Sequence, residues 1–269
     1  MSRDQYLDNL GRFYGNRYSK DTVANAFSQA RRFMDKVGVK VAYSREDILG
    51  YVDYLITESY RPRSILQILR SVKILLLAND MPWPLRHGDL HLGMPKVEPI
   101  APLLSNDEIV KLIRATCHVG APYGPVVALS AIWGLRNTEI TQGLNAGCNG
   151  QLLVVQSAKG GNLRRHIIPS NLSRVMTFRP LKISRRSTSY LFDQLMSQYV
   201  RPPVEREGWH AVRRSLITEL VRANVDRGII FKYMGWSDSR NMVYTYWHPE
   251  PTEIDSQIYK AHPFLRYYR

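Results

Sequence analysis

The sequence predicts a mainly α protein with a small β-sheet, organised as two domains. Apolar residues recur at helical spacing from the start of the chain to about residue 90. A run of prolines then interrupts this pattern, and two short stretches further on have the composition of strands. We therefore expect an N-terminal four-helix domain over residues 1–92, a linker over 93–104 and a C-terminal α+β domain over 105–269.

Four helices are predicted in the first domain, because capping residues precede stretches with a helical apolar stripe. The stripes are those of an ordinary bundle core. The predicted helices are one that starts at Ser2-Arg3-Asp4-Gln5, Asp21–Val37, one that starts at Ser44-Arg45-Glu46-Asp47, and Arg63–Leu77.

The chain from Met81 through the predicted linker is rich in proline. Proline has no N–H and clashes with the preceding helical turn, so this density favours an extended connector. The prolines between Met81 and the second domain are Pro82, Pro84, Pro95, Pro99 and Pro102.

The second domain is predicted to begin with a capping box at Ser105 and Glu108. An almost wholly apolar segment, Gly124–Trp133, predicts a buried helix. Two strands are expected at Leu152–Gln156 and Arg165–Pro169, joined by a turn that contains Lys159. Further helices are predicted at Ser187–Tyr199, His210–Asn224, Asp226–Met234 and Ile254–Ala261.

Charge is the most pronounced compositional feature, with a formal net charge of +14. The stretch between Glu139 and Asp193 contains no carboxylate, although basic residues are frequent in it. Such a one-sided surface repels itself unless a polyanion neutralises it, which favours nucleic acid as the partner over an acidic membrane. The basic residues are Lys159, Arg164, Arg165, Arg174, Arg179, Lys182, Arg185 and Arg186.

Other classes of protein are disfavoured by the sequence. No apolar run has the length of a membrane span, and the first residues lack the apolar stretch of a secretory signal. The two cysteines, Cys117 and Cys148, have neither CxxC spacing nor a neighbouring histidine pair. We expect a cytoplasmic protein without disulfide, metal or other cofactor.

Candidate chemical groups converge between Gly208 and Pro249. His210 and Arg213 are three residues apart and share a face if this segment is helical. An imidazole moves protons near neutral pH, a guanidinium binds two phosphate oxygens at once, and a tyrosine hydroxyl can act as a nucleophile. Arg136 follows the apolar helix, with Glu139 placed to orient it. These residues favour covalent attack on a phosphodiester.

The order of these residues resembles the tyrosine recombinases, the phage-integrase family. The resemblance covers nearly the whole chain and rests on the conjunction of motifs, since a His-x-x-Arg pair alone is weak. It implies that residues 1–92 form a core-binding (SAM-like) domain and 105–269 a catalytic domain of the tyrosine recombinase type. The matching residues are Arg136 in Gly-Leu-Arg-Asn-Thr-Glu, Lys159 in a β-turn, His210, Arg213, Trp236 after a glycine, and Tyr244.

The resemblance implies a role for each matching residue. Tyr244 is implied to attack the scissile phosphate, and Lys159 to protonate the departing 5′ oxygen. Arg136 and Arg213 are implied to hold the non-bridging oxygens, and His210 to assist proton transfer. Trp236 stands where the family usually has histidine and sometimes tryptophan. Glu139 is implied to support the network.

The choice of nucleophile stays open between two tyrosines. Val243-Tyr244-Thr245 resembles the apolar-Tyr-Thr signature of the family, but its interval from Trp236 is about one residue short. Tyr246 lies two positions further along and is the alternative.

The implied function is site-specific DNA recombination through a 3′-phosphotyrosine intermediate and a Holliday junction, serving resolution or integration of a mobile or circular element. The implied partners are double-stranded DNA with paired sites and three further copies of the chain, with a monomer or dimer when free. The segment after Tyr244 is expected to dock on a neighbouring subunit. The alternatives are a type IB topoisomerase and a non-catalytic architectural DNA-binding protein.

Overall fold

A computed structural model describes residues 2–15, 18–93, 102–117, 119–145, 152–157, 163–176, 183–236 and 250–268. The chain divides into two compact units, Met1–Pro99 and Ile100–Arg269. The described residues are mainly α-helical and include a two-stranded antiparallel sheet in the second unit, which confirms the predicted fold class.

The first unit contains helices α1 to α4, and serine caps start the first three of them. Ser2 and Ser44 each form a complete capping box, in which the side chain accepts a hydrogen bond from a backbone N–H of the first turn. The last helix begins with Pro62, whose missing N–H costs nothing at that position. The helices are α1 (Arg3–Tyr14), α2 (Lys20–Val37), α3 (Arg45–Thr57) and α4 (Pro62–Leu77).

The apolar stripes of these helices form the core of the first unit. The side chains of Leu10, Phe33, Leu55 and Val72, one from each helix, are fully buried. The predicted interpretation of the stripes as a bundle core is therefore confirmed for this unit.

The second unit contains seven α-helices and both strands among its described residues. Ser105 caps the first of these helices with the predicted capping box to Glu108. The elements are α5 (Asn106–Thr116), α6 (Tyr123–Ala131), α7 (Asn137–Asn145), β1 (Leu152–Gln156), β2 (Leu163–Ile167), α8 (Arg185–Tyr199), α9 (Trp209–Arg222), α10 (Arg227–Tyr233) and α11 (Pro251–Ala261).

Strands β1 and β2 pair antiparallel, with Leu152 opposite Ile167 and Gln156 opposite Leu163. Strand β2 therefore lies two residues earlier than the predicted 165–169, and that prediction was wrong at both ends. Pro169 has no N–H to donate to a ladder, so the strand ends before it. The register turns Arg164 and His166 inward and leaves Arg165 exposed.

Helix α6 is buried in the second unit, as its apolar sequence predicts. Its residues from Gly124 to Ala131 are buried, and Trp133, just beyond its end, is fully buried. Helices α5, α7 and α9 pack against α6. The chain that leaves α6 therefore enters the interior of this unit, and Arg136 follows directly.

Helix α11 packs on the core of its own unit. Asp255 is buried and accepts a hydrogen bond from the Ile167 backbone N–H at 2.6 Å. Its other carboxylate oxygen lies 3.1 Å from His166 Nδ1. Ile258 is fully buried, and the Tyr259 hydroxyl donates to the Ile167 carbonyl at 2.6 Å. This helix is thus part of the folded unit, and its expected docking on a neighbouring subunit stays a proposal.

Stability of the second unit is expected to fall in acid because of His262. Its Nε2 donates to the Ile132 carbonyl (2.9 Å), while its Nδ1 accepts from the backbone N–H groups of Phe264 and Leu265, both at 3.2 Å. Only the neutral ring can make this set of bonds. Burial lowers the pKa of His262 from the ordinary 6.5 to about 4.

As the pH falls, His262 is therefore protonated at a higher pH in the unfolded chain than in the folded protein. The stabilisation by neutral His262 is complete above pH ~6.5 and is lost as the pH falls toward ~4, at up to about 1.4 kcal/mol per pH unit. Urea unfolding between pH 7 and 4 measures the slope, and His262→Gln, which retains one donor and one acceptor, is expected to have a shallower one. Equal slopes for both proteins would contradict this account.

Candidate active site

The candidate site is organised around Glu139, a fully buried carboxylate in the first turn of α7. Its Oε1 accepts from Arg136 Nη1 at 2.6 Å, and its Oε2 accepts from the Arg136 backbone N–H at 2.9 Å. The position suits an anion, because the first turn of a helix presents unpaired N–H groups. The expected orientation of Arg136 by Glu139 is thus present, and the Arg136 side chain keeps 20% exposure.

Arg164, on β2, is the second arginine at this carboxylate. Its Nη2 donates to Glu139 Oε2 at 2.8 Å, and its Nη1 donates to the backbone carbonyl of Tyr233 at 3.0 Å. The side chain is almost wholly buried. Burial is the main cause that lowers the pKa of Arg164.

Arg213 is the third arginine and comes from the second turn of α9. Its Nη1 lies 3.9 Å from Glu139 Oε2 and donates to the carbonyl of Gly134, and its Nη2 donates to the carbonyl of Met234 at 3.1 Å. Burial, followed by repulsion from Arg136 and Arg164, lowers the pKa of Arg213 to about 9. The guanidinium is thus held rigidly by two backbone carbonyls and a more distant carboxylate.

Three guanidinium groups therefore share one carboxylate, which leaves two formal positive charges uncompensated within the cluster. We call Arg136, Arg164, Arg213 and Glu139 the arginine cluster. Charges in a buried setting interact strongly, so a bound anion would relieve the repulsion. Arg136 is the most exposed of the three.

Trp236 lies beside this cluster, with its ring centroid 5.5 Å from Arg213 Cζ. Its ring also meets Phe231 edge-on at 4.8 Å, and its backbone N–H donates to the Phe231 carbonyl at 3.1 Å. The side chain is half-buried. Trp236 is therefore fixed next to one of the arginines, and its indole N–H can donate but cannot titrate.

His210 lies in the first turn of α9, one turn before Arg213. Its side chain is exposed, whereas that of Arg213 is buried. Lys159, Tyr244 and the alternative Tyr246 lie outside the residues that the structure describes. The structure thus brings Arg136, Arg213 and Trp236 together and places His210 on the helix that carries Arg213.

Gly235 makes the turn that joins α10 to Trp236. It has a φ of +64°, and a Cβ there would lie 2.2 Å from Ser157 Oγ and 2.4 Å from Arg164 Cδ. The residues Tyr233–Trp236, which we call the α10 turn, therefore require glycine at this position for both conformation and space.

Replacing Gly235 with alanine is expected to destabilise the second unit by about 2–5 kcal/mol, the sum of left-handed strain and overpacking. Gly120→Ala is a matched control in the same unit, because a Cβ there meets nothing within 4 Å. Urea unfolding of both variants measures the difference. An equally small loss of unfolding free energy in both variants would show that the α10 turn accommodates a Cβ at position 235.

The place of Arg164 in the arginine cluster is not predicted by the sequence, in which it is one of the basic residues of a stretch without carboxylates. Strand alternation places Arg164 and His166 on the same face, which indicates that both are buried if one is. The predicted strand begins one residue too late to include Arg164. The buried His166–Asp255 pair was missed as well, because its members are 89 residues apart in the chain.

Neither a metal site nor a membrane span is apparent in the part of the chain that the structure describes. Its histidine, cysteine and carboxylate side chains form no group of three that could hold a metal ion. None of its helices combines the length and apolarity that crossing a bilayer requires.

Comparison with solved structures relates the fold to that of DNA integrases. The Tn1549 transposon integrase in complex with circular intermediate DNA matches with a TM-score of 0.63 at 14% identity, over 97% of this chain and 99% of that chain. The same integrase in complex with transposon right end DNA matches with a TM-score of 0.60 at 14% identity, over the same shares of both chains. The chain therefore has a tyrosine recombinase-like fold, as predicted.

A weaker match is XerA recombinase, with a TM-score of 0.43 at 18% identity over 96% of this chain and 98% of that chain. No protein-family model matches the chain, and no curated protein matches it by sequence.

Proposed function

We propose that this protein is a site-specific DNA recombinase that cuts and rejoins DNA through a 3′-phosphotyrosine intermediate. The observation that carries the proposal is the arginine cluster, in which three buried or half-buried guanidinium groups surround the single carboxylate of Glu139. A phosphodiester is the anion that this excess charge suits, and the net charge of +14 suits a DNA partner. The fold shared with DNA-bound integrases supports the same conclusion.

In the proposed reaction, the phenolic oxygen of Tyr244 attacks the scissile phosphorus and forms a new P–O bond. The bond from phosphorus to the 5′ oxygen breaks, and its electron pair stays on that oxygen. Lys159 supplies the proton that converts this oxygen to a hydroxyl, and His210 accepts the phenolic proton, a task worth about 10²–10⁴-fold in rate. One phosphodiester replaces another, so rejoining needs no ATP.

Arg136 and Arg213 are proposed to bind the non-bridging oxygens and to stabilise the charge that develops on them. The two backbone carbonyls that Arg213 contacts occupy two of the five N–H donors of a guanidinium, which leaves donors for a phosphate. Fixed donors stabilise a transition state because they need no reorganisation during the reaction. Trp236 can donate from its indole N–H to the same phosphate.

A trapping experiment tests the proposed reaction. Duplexes that bind the protein are selected from a random-sequence pool and remade with a nick at successive positions. A nick just beyond the cleaved bond releases a short 5′-hydroxyl fragment, so the cleaved strand stays joined to the protein. A covalent adduct on selected duplexes, absent from scrambled ones, is the expected result.

Two other results would redirect the proposal. Binding without any adduct would leave an architectural DNA-binding protein. Relaxation of a supercoiled plasmid that lacks the selected sequence would favour a topoisomerase.

The proposed assembly is a tetramer on paired sites, with a Holliday junction between the two strand exchanges. Helix α11 is packed on its own unit through Asp255 and Ile258, so docking on a neighbour uses the exposed face of this helix or requires the helix to leave that position. Mass photometry with DNA that carries one or two selected sites measures the assembly. A four-subunit complex on paired sites is expected, and a complex of two subunits at saturation would contradict it.

A further inference from the structure

Arg164 occupies an unusual position for a charged side chain. Strand β2 alternates between exposed and buried residues, and this register turns Arg164 inward, with 2% of its side chain exposed, beside the exposed Arg165. Replacing a buried ion pair by apolar groups of similar volume is often neutral or stabilising. A third buried cation next to Arg136 and Arg213 therefore needs a reason other than stability.

The contacts of Arg164 join two parts of the candidate site. One end of its guanidinium donates to Glu139 Oε2, and the other donates to the Tyr233 carbonyl. Arg213 holds the next carbonyl in the chain, that of Met234. The two arginines thus fix consecutive carbonyls of the α10 turn while both face Glu139.

The stem of Arg164 also supports the α10 turn directly. A Cβ on Gly235 would lie 2.4 Å from Arg164 Cδ and 2.7 Å from its Nε, so the glycine backbone packs against this side chain. Trp236 follows immediately and leads into the segment that holds Tyr244 and Tyr246. A displacement of Arg164 would therefore move Gly235 and Trp236.

We propose that Arg164 is a positioning residue for the strand-cleavage reaction: it holds Glu139, which orients Arg136, and it holds the α10 turn, which carries Trp236. This inference rests on the proposed function. Arg164 acts through its neighbours and does not touch the phosphate. Misplacing reacting groups by about 1 Å can slow a reaction by about 100-fold, which sets the expected size of the effect.

Single-turnover cleavage of the selected nicked duplex, at saturating DNA, tests this role. Arg164→Met is expected to lower the rate constant by about 100-fold with DNA affinity within about twofold of wild type. Arg164→Lys keeps the positive charge but cannot donate to both partners as the guanidinium does. Its rate constant is expected to lie between those of wild type and Arg164→Met. Arg222→Met is the control, an exposed arginine in the last turn of α9, with an unchanged rate constant at saturation.

The reacting fraction separates positioning from simple folding. A positioning role lowers the rate constant and leaves the final fraction of cleaved DNA unchanged, whereas a purely structural role lowers the fraction and leaves the rate constant of the folded molecules unchanged. The second pattern, or a wild-type rate constant in Arg164→Met, would overturn the inference. If Arg164→Met does not fold, the same comparison is made with Arg164→Lys.

A double-mutant cycle with Glu139→Gln tests the route of the effect. If Arg164 acts through Glu139, the fold reduction of the rate constant in the double variant is smaller than the product of the fold reductions in the two single variants. Losses that multiply would contradict positioning through Glu139. Absence of an adduct in the wild type would instead refute the proposed function, so the two failures are distinguishable.

Discussion

Replacing Tyr244 with phenylalanine is expected to reduce the covalent protein–DNA adduct from full yield to below detection. The substitution removes only the hydroxyl oxygen, and without this nucleophile the ester cannot form. DNA affinity is expected to stay within about twofold of wild type, because phosphate contacts from basic side chains dominate affinity. A denaturing gel of labelled nicked duplex measures the adduct, and a titration under native conditions measures the affinity.

Tyr246→Phe is the matched control for this prediction, since it makes the same change two residues away. It is expected to leave the adduct yield unchanged. If Tyr246→Phe abolishes the adduct and Tyr244→Phe does not, the assignment of the nucleophile is wrong by two positions. If each variant retains the adduct, neither tyrosine is the nucleophile.

Arg213→Ala is expected to lower the rate of strand cleavage by about 10²–10³-fold, equivalent to about 3–4 kcal/mol of transition-state stabilisation. The guanidinium is fixed by the carbonyls of Gly134 and Met234 before any substrate arrives, so its charge is already placed for the reaction. The loss is expected in the rate constant at saturating DNA much more than in affinity, because the developing charge exists only in the transition state.

Two controls accompany this prediction. Arg213→Lys keeps a cation but cannot hold both carbonyls in the same way, and we expect it to be slower than wild type as well. Arg222→Ala removes an exposed arginine from the last turn of the same helix and is expected to leave the rate constant unchanged. If Arg213→Ala weakens affinity and leaves the rate constant intact, Arg213 is a phosphate anchor and not part of the reaction.

The parts of the fold that depend on local signals could be predicted from the sequence. The capping boxes at Ser2, Ser44 and Ser105 need only residues three positions apart, and all three are present in the structure. The ion pair of Arg136 with Glu139 has the same short spacing. Such contacts are favoured as soon as a helix forms, so the local sequence is sufficient to indicate them.

The parts that depend on tertiary packing could not be predicted in this way. Arg164 donates hydrogen bonds to Glu139, 25 residues away in the sequence, and to the Tyr233 carbonyl, 69 residues away. Nothing in its local sequence indicates either partner. The carbonyls that fix Arg213 are backbone groups, which are the same for every residue type. The bounds of β2 could be predicted only to within two residues, because alternation does not specify where a strand ends.

The most direct test of the central claim is to locate the bond between protein and DNA. The trapped adduct is digested with nuclease and protease, and the peptides are sequenced by mass spectrometry. We predict nucleotide mass on the peptide that contains Val243-Tyr244-Thr245, attached through the phenolic oxygen of Tyr244. Nucleotide mass on a residue other than tyrosine, or on no peptide at all, would contradict cleavage through a phosphotyrosine.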